Sequence, residues 1–380
     1  MPRDTTLELF TPFFETLADP RVERGRHHPL INVVVLALCG TLAGADGWAE
    51  IERYGWAKLD FFRQFLDLPH GIPSHDTFGR VFGRLKPGAL LACTHRWLAA
   101  LGRAVAGEVV AIDGKTLRGS FDAAAGQSPL HLVSAFATDA RLVLGQVAVD
   151  TKSNEITAIP LLLELLDLKG AIVTIDAMGC QTKIARAIRD AEADYVLAVK
   201  DNQPTLHAAL IDAFVAHAEA DYADPALRRW ATADRGHGRD ERREYFCAPV
   251  PAALKASESW ADVASIGLVL RSRTVAGRTS EELSYYISSL PPKVKAFAKA
   301  VRGHWGIENR VHWVLDVTFA EDKSRVRTDH GPENLPMLRR LALSILQSDA
   351  TVKDSLKGKR QRAGWDDEFL LDLITAFPEE

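Results

Sequence analysis

Three acidic residues occupy positions in which a metal-dependent nuclease would place its ligands. Asp113 and Asp176 each follow an apolar, β-branched run, so each carboxylate is predicted to lie at or near the end of a buried strand. Glu308 lies in RGHWGIENRVHW, within a predicted helix. If the strands are neighbours and the helix crosses them, the three carboxylates converge in the way that holds two divalent ions about 3.5 to 4 Å apart. The arrangement therefore predicts phosphodiester chemistry.

The helix that carries Glu308 has a polar face. Four polar residues recur at intervals of four along it: His304, Glu308, His312 and Asp316. Apolar residues form a separate stripe: Ile307, Val311, Val314 and Leu315. Residues four apart share one side of an α-helix, so groups with metal and phosphate chemistry line that side. For the neighbouring Trp305 and Trp313, we favour core packing over stacking on a displaced base.

Polar residues near the same strand ends are candidates for phosphate contacts, although each is equally well read as a solvated loop residue. These candidates are Lys115, Arg118, Lys200, Asn202 and Gln203. Four further candidates with weaker support are Arg235, His237, Arg239 and Arg310. The DGKT segment does not form an ATP-binding phosphate loop, because Val109 stands where that motif requires its first glycine.

Length and composition are typical of a globular chain of two or three domains, with 380 residues of which 47% are hydrophobic and 25% charged. The longest apolar run, 33–45, is shorter than the roughly 20 residues that span a bilayer, so no membrane association is expected. The amino terminus has no signal-peptide pattern. Four separated cysteines without a CxxC pair argue against zinc and disulfides. We therefore expect a cytoplasmic protein.

The net charge of −4 does not exclude a nucleic-acid partner, because such a protein needs only a local basic track. Arginines concentrate in 228–243, and lysines and arginines in 353–362. A solvated face and a solvated tail are the competing interpretations of these two segments.

The first part of the chain, 1–105, is predicted to be a helical domain that could bind DNA ends, because apolar residues recur at helical spacing between Pro and Gly breaks. Within it, Ser74 is expected to cap a helix with a buried apolar face. Arg80 and Arg84 fall on the opposite face. This helix is a candidate for the second helix of a helix-turn-helix, and an ordinary capped surface helix is the alternative.

From residue 106 the predicted elements change to three strands, a helix capped by Asn154, and then strand, helix, strand and helix. This order predicts an antiparallel meander joined to parallel strands, with helices on both faces. It is the order of an α/β, ribonuclease-H-like mixed sheet. The predicted parts are 106–220 (first catalytic part), 221–290 (inserted β-rich subdomain), 291–350 (second catalytic part with the Glu308 helix) and 351–380 (basic C-terminal tail).

Several segments of the chain, taken in order, resemble the DDE transposases of bacterial insertion sequences, specifically the H-repeat-associated group. They include GIPSHDTFGRVF, IDGKTLRGS, KSNEITAIPLLL, VTIDAMGCQ, YVLAVKDNQ and HWGIENRVHWVLDVTFAED. The resemblance spans most of the chain. It implies a ribonuclease-H-like catalytic domain whose acidic triad is Asp113, Asp176 and Glu308, and none of the three departs from the family pattern. The long interval between Asp176 and Glu308 matches transposases with a β insertion there.

The resemblance implies a transposase that binds the terminal repeats of its mobile element, exposes 3′ hydroxyls and joins them to target DNA. Two Mg²⁺ ions, replaceable by Mn²⁺, would be held with Asp113 bridging and with Asp176 and Glu308 each on one ion. Crowding these acids is expected to raise the pKa of at least one. The implied partner is double-stranded DNA, bound by a homodimer. A structure-selective nuclease and a domesticated, non-catalytic DNA-binding factor remain as alternatives, and the intact triad disfavours the second.

Overall fold

The computed structural model describes residues 11–100, 105–121, 128–149, 154–236, 238–252, 254 and 259–375. Five strands precede the long helix Pro204–Glu219: β1 (Val109–Leu117), β2 (Leu130–Ala137), β3 (Leu142–Ala148), β4 (Ile172–Ile175) and β5 (Asp194–Val199). Four more follow it: β6 (Arg228–Gly236), β7 (Arg239–Pro249), β8 (Ser265–Val275) and β9 (Arg278–Ser288). Within the described residues these strands form one sheet, in the order β3-β2-β1-β4-β5-β9-β8-β7-β6.

The first five strands have the predicted ribonuclease-H-like topology. β1, β2 and β3 pair as an antiparallel meander, and β4 and β5 continue from β1 as parallel strands. The β-branched runs of β1 and β4 suit this position, because a central parallel strand is buried on both faces. The predicted fold class is therefore confirmed.

The β-rich insertion continues the same sheet. β9 pairs antiparallel with β5, and β8, β7 and β6 follow outward by antiparallel pairing. One end of each of β7, β8 and β9 carries buried residues such as Phe246 and Ile266, whereas the other ends are charged and mostly exposed. The insertion therefore extends the edge of the sheet beyond the main body of the protein.

Helices cover both faces of the sheet. The helices are α1 (Leu30–Leu42), α2 (Trp48–Ala57), α3 (Leu59–Phe62), α4 (His75–Arg84), α5 (Pro87–Ala100), α6 (Glu155–Glu164), α7 (Thr182–Asp190), α8 (Pro204–Glu219), α9 (Val294–Ile307), α10 (Trp313–Val317), α11 (Gly331–Ser348), α12 (Leu356–Trp365) and α13 (Asp367–Thr375). On one face Ile112 packs in a cluster with Ile159 of α6 and Ile184 of α7. On the other, Val109 packs in a cluster with Phe297 of α9. As predicted, Asn154 caps α6 through a hydrogen bond from the Ile156 N–H.

The N-terminal helices share one core with the C-terminal part of the chain. Buried residues of α1 and α4 pack in the same cluster as buried residues of α11, α12 and α13. The side chain of Asn334 at the start of α11 donates to the carbonyl oxygens of Phe82 and Leu85 at the end of α4. The helical character predicted for 1–105 is thus observed over the described residues, but these helices do not form a separate body.

The basic C-terminal tail predicted for 351–380 is helical and packed against the rest of the chain over the residues that are described. Helices α12 and α13 occupy most of this segment, and Lys359 and Arg360 are buried. The Lys359 ammonium lies 2.8 Å from an Asp349 carboxylate oxygen, and the Arg360 guanidinium lies 3.0 Å from Asp46. Asp349 and Asp46 thus pair with these two buried cations, so they are not exposed to a partner.

All four cysteines are free and buried. Within the described ranges, no helix combines the length and the apolar character needed to cross a membrane.

Candidate metal centre

Asp113 and Asp176 lie at the same level on adjacent strands. In the parallel pairing of β1 with β4, Ile112 is opposite Ile175, so the next residue of each chain is an aspartate. β4 ends directly before Asp176, but β1 runs on to Leu117, so the predicted strand end at Asp113 is wrong. One oxygen of Asp176 accepts the N–H groups of Met178 and Gly179, at 3.1 and 3.4 Å, which fixes this carboxylate.

The helix that carries Glu308 approaches β1 closely. At Gly303 of α9, a Cβ atom would lie 2.8 Å from a methyl group of Val109, so only glycine allows this approach. From Glu308 to His312 the helix widens into a π-helical segment before α10 begins. The continuous α-helix predicted here is therefore interrupted. Such single-turn widenings occur frequently at functional sites.

Asp113, Glu308 and His312 bring their ligand atoms within 4.8 Å of one another. We call these three residues the Asp113 cluster. His312 is only 4% exposed, and its Nε2 atom has no hydrogen-bond partner among the described residues. This atom lies 3.7 Å from Oδ2 of Asp113, whereas Glu308 is exposed. Asp176 is outside this group of three, although its charge affects Asp113.

The electrostatics of the site favour a cation. The pKa of Asp113 is raised to about 7, chiefly by burial; the N–H of Gly114 opposes this shift, and the charges of Asp176, Glu155 and Glu308 add to it. A raised pKa was expected from crowding of the acids, but burial is the larger cause. Burial also lowers the pKa of His312 to about 3, so its imidazole is neutral at physiological pH. Two carboxylates and a neutral imidazole form a donor set that fits a divalent metal ion.

Lys115 belongs to a second polar cluster, which contradicts its predicted role in phosphate contact. Its ammonium lies 2.6 Å from Asp316, 3.3 Å from Asp322 and 3.8 Å from Glu321, and the side chain is 8% exposed. Arg340 completes this group with a 2.7 Å contact to Glu321. We call these five residues the Lys115 cluster. Because carboxylates enclose its ammonium, Lys115 is not available to a ligand.

Asn202 and Gln203, which follow the end of β5, contact the turn after Asp176. The Asn202 amide donates to the Ala177 carbonyl at 2.6 Å, and the Gln203 amide donates to the Cys180 carbonyl at 2.9 Å. Their side chains thus brace the loop that carries Asp176. Lys200, just before them, is exposed.

A basic groove runs between the extended sheet and α9, with a volume of about 570 Å³. Its cationic lining residues are Arg239, Arg243, Arg271, Arg273, Lys299, Arg302 and Arg310. Only two acids, Asp139 and Glu241, line it. Trp305 also lines this groove with 49% exposure and Trp313 is 58% exposed, so the core packing expected for both is wrong. Arg239 and Arg310, two of the candidates from the sequence, both line this groove.

The other sequence candidates that the structure describes lie outside the groove. Arg118 is exposed beside Asp322, and Arg235 pairs with Asp240 at 2.7 Å near the turn between β6 and β7. Arg80 and Arg84 are exposed on α4. The predicted cap of α4 is present, because the Ser74 side chain accepts the Thr77 N–H. His237 lies outside the described residues.

Sequence reasoning missed two contributors to the site. His312 was visible only as one member of the four-residue periodicity. Glu155 was visible only as the first residue of α6, yet its charge raises the pKa of Asp113 and its carboxylate lies 2.6 Å from Nε2 of His131. No local pattern connects Glu155 with Asp113, because the sheet brings them together.

Comparison with known proteins identifies the family. The family model described as "Transposase DDE domain" matches residues 106–345, and the model described as "DDE_Tnp_1-associated" matches residues 11–98. The chain belongs to the DDE transposase family. The resemblance found in the sequence motifs is therefore confirmed.

Relatives in this transposase family match along most of their length. The chain is 36% identical to "Putative transposase YncI" of Escherichia coli O157:H7, covering 98% of this chain and 96% of that protein. It is 37% identical to "H repeat-associated putative transposase YhhI" of Escherichia coli strain K12, covering 91% and 92%. A solved piggyBac transposase synaptic complex with hairpin DNA aligns with a TM-score of 0.43 and 11% identity. The alignment covers 100% of this chain and 86% of that one.

Proposed function

We propose that this chain is a DNA transposase that cleaves strands at the ends of its mobile element and transfers them into target DNA. The observation that carries the proposal is the placement of its acids. Asp113 and Asp176 follow paired residues of two parallel strands, and Glu308 reaches Asp113 from the helix that crosses them. Membership of the DDE transposase family supports the same reading.

In this proposal the three acids hold two divalent ions. Asp113, Asp176 and Glu308 would be the protein ligands that hold these ions. When bound, Mg²⁺ or Mn²⁺ would activate the attacking oxygen and stabilise the leaving oxygen of the phosphodiester. The backbone N–H groups on Asp176 and the brace from Asn202 hold that carboxylate in one orientation. Exposed Glu308 remains accessible to a DNA strand.

The DNA-binding surface that we propose includes the basic groove beside Glu308, since its cations exceed its acids and Arg310 is only two residues from Glu308. Arg118, Lys200 and the exposed arginines of α4 are further candidates for phosphate or base contacts. We propose that double-stranded terminal repeats and target DNA bind here and that two copies of the chain act together on them.

The proposal is tested by incubating the full chain with duplexes that carry the element's ends and Mg²⁺ or Mn²⁺, with the products resolved strand by strand. Asp113→Ala, Asp176→Ala and Glu308→Ala should each lower cleavage about a thousandfold or more, since the metal contributes several kcal/mol to the transition state. Binding to end DNA should stay near normal. Asp60→Ala removes a fully exposed acid on another helix and should cleave normally.

Three outcomes would contradict the proposal. Full cleavage by any of the three variants removes that acid from the centre. Cleavage of branched DNA without preference for the element's ends identifies a structure-selective nuclease instead. Specific binding without cleavage by the unaltered chain, with either metal, identifies a non-catalytic DNA-binding factor.

A further inference from the structure

We propose that Nε2 of His312 is a metal ligand, so that the two metal positions of this site are chemically different. One position is formed by Asp113, Glu308 and His312, with two oxygen donors and one nitrogen. The other is formed by Asp113 and Asp176, with oxygen donors alone. This inference rests on the proposed function, because it assigns a further residue to the same metal centre.

The first support is the environment of His312. Its side chain is almost completely buried, yet Nε2 has no hydrogen-bond partner among the described residues and lies 3.7 Å from Oδ2 of Asp113. Buried polar atoms in native proteins nearly always have a partner, so an orphaned one requires an explanation. A bound cation supplies that partner.

The second support is the spacing of the donors. A separation of 3.7 Å between Nε2 of His312 and Oδ2 of Asp113 is too long for a hydrogen bond. Two donors that are each about 2.1 Å from one ion lie between about 3.0 and about 4.2 Å apart, depending on the angle at the metal. The observed distance falls inside that range. Glu308 is exposed, and its ligand atom lies within 4.8 Å of those of Asp113 and His312.

Two other histidines near the site show what a satisfied imidazole looks like here. His304, on the same helix, bonds Thr174 through Nδ1 at 3.2 Å. His131 bonds Glu155 through Nε2 and Thr116 through Nδ1. Protein groups hold these two rings. Nε2 of His312, in contrast, lies near the carboxylates of Asp113 and Glu308 and has no hydrogen-bond partner among the described residues.

The nitrogen donor has a consequence for metal preference. Carboxylates bind Mg²⁺, Ca²⁺ and Mn²⁺, whereas imidazole adds affinity chiefly for transition-metal ions. The position with His312 should therefore bind Mn²⁺ more tightly than Mg²⁺ or Ca²⁺. The position with Asp176 should discriminate less.

The test is electron paramagnetic resonance of Mn²⁺ bound to the full chain without DNA. Spin-echo modulation should show a directly coordinated nitrogen in the unaltered protein. His312→Gln should lose this signal and bind the tighter Mn²⁺ at least about tenfold more weakly, because changes even to outer-shell partners cost that much. His304→Gln is the matched control, and it should keep both the nitrogen signal and the affinity. In His312→Gln, the affinity for Ca²⁺, measured by competition with Mn²⁺, should change less than the affinity for Mn²⁺.

The possible failures are distinguishable. Bound Mn²⁺ without a nitrogen signal, or a signal that persists in His312→Gln, overturns the assignment of His312 and leaves the carboxylate centre standing. Failure of the unaltered chain to bind Mn²⁺ overturns the proposed metal centre itself. If His312→Gln does not fold, the other two proteins still test the assignment. Absence of a nitrogen signal in the unaltered chain, or its loss in His304→Gln, would reject His312 as the nitrogen ligand.

Discussion

Two polar clusters lie between β1 and the helical region around Glu308, and they differ in charge balance. In the Lys115 cluster, Lys115 and Arg340 neutralise acids that face them at salt-bridge distance. In the Asp113 cluster, two carboxylates and a neutral imidazole face one another, and among the described residues neither carboxylate forms an ion pair with a lysine or an arginine. The strand residues at their centres are only two positions apart.

The difference shows how a structural cluster is told from a site that binds a ligand. Both clusters are rich in acids and both join the same strand to the same helical region. A buried charge cluster that contains its own counter-charges needs nothing further, whereas one without them is stable only if a cation or protons enter. We therefore expect the two clusters to respond in opposite ways when a charge is removed.

The largest expected effect on stability is in the Lys115 cluster. Lys115→Met should lower the free energy of unfolding by about 3–5 kcal/mol, because it leaves buried carboxylates without their counter-charge. Denaturant unfolding measures this change. Lys169→Met is the matched control, since Lys169 pairs with Glu192 on the surface, and its free energy of unfolding should stay close to that of the unaltered chain. A similar loss in both variants would contradict the distinction.

Metal binding should stabilise the Asp113 cluster. At a Mn²⁺ concentration of about 100 times its dissociation constant, the free energy of unfolding should rise by about 2.7 kcal/mol. Asp113→Asn should lose this gain, whereas Asp322→Asn in the Lys115 cluster should retain it. Thermal unfolding with and without Mn²⁺ compares the three proteins. Loss of the gain in Asp322→Asn would show that the clusters are not independent.

Without metal, removing the charge of Asp113 should stabilise the protein. Its folded pKa of about 7 lies above the ordinary aspartate pKa of 3.8, so its contribution to stability is fully present below about pH 4 and is lost as the pH rises through 7. At about pH 8, Asp113→Asn should therefore unfold with a free energy higher by roughly 1–2 kcal/mol. The gain should shrink between pH 7 and pH 4. Destabilisation at pH 8 in the presence of a chelator would contradict this account.

The smallest effect on stability is expected on α4. Arg80→Ala combined with Arg84→Ala should remove the preference for end DNA over random DNA, while stability changes by no more than about 0.5 kcal/mol. The full chain is required, because α4 shares its core with α11. Arg53→Ala, an exposed arginine on α2, is the control. An unchanged preference in the double variant would remove α4 from the proposed DNA-binding surface.

The sheet and the positions of Asp113 and Asp176 were predictable because their signal is local. Apolar β-branched runs identify β1 and β4, and the order of strands and helices determines that they are neighbours. Lys115 was not predictable in the same way. Its counter-charges come from Asp316 and Asp322, which are 201 and 207 positions away, so the local sequence shows only a lysine two positions after an acid.

The π-helical segment and the C-terminal helices were also not predictable from the local sequence. A four-residue recurrence from His304 to Asp316 fits an uninterrupted α-helix, and the local pattern does not reveal the wider turn at Glu308. In the same way, the basic run around Arg360 resembles a solvated tail until Asp46, 314 positions earlier, supplies a partner. Long-range charge pairing is what the sequence patterns omit.

The most direct test of the central claim is anomalous diffraction at the manganese edge from crystals of the full chain soaked in Mn²⁺. We predict two peaks about 3.5 to 4 Å apart, one in contact with Asp113, Glu308 and His312 and the other with Asp113 and Asp176. We predict no peak within the Lys115 cluster, whose acids already have counter-charges. Absence of density at the Asp113 cluster, or a peak at Lys115 in its place, would contradict the account.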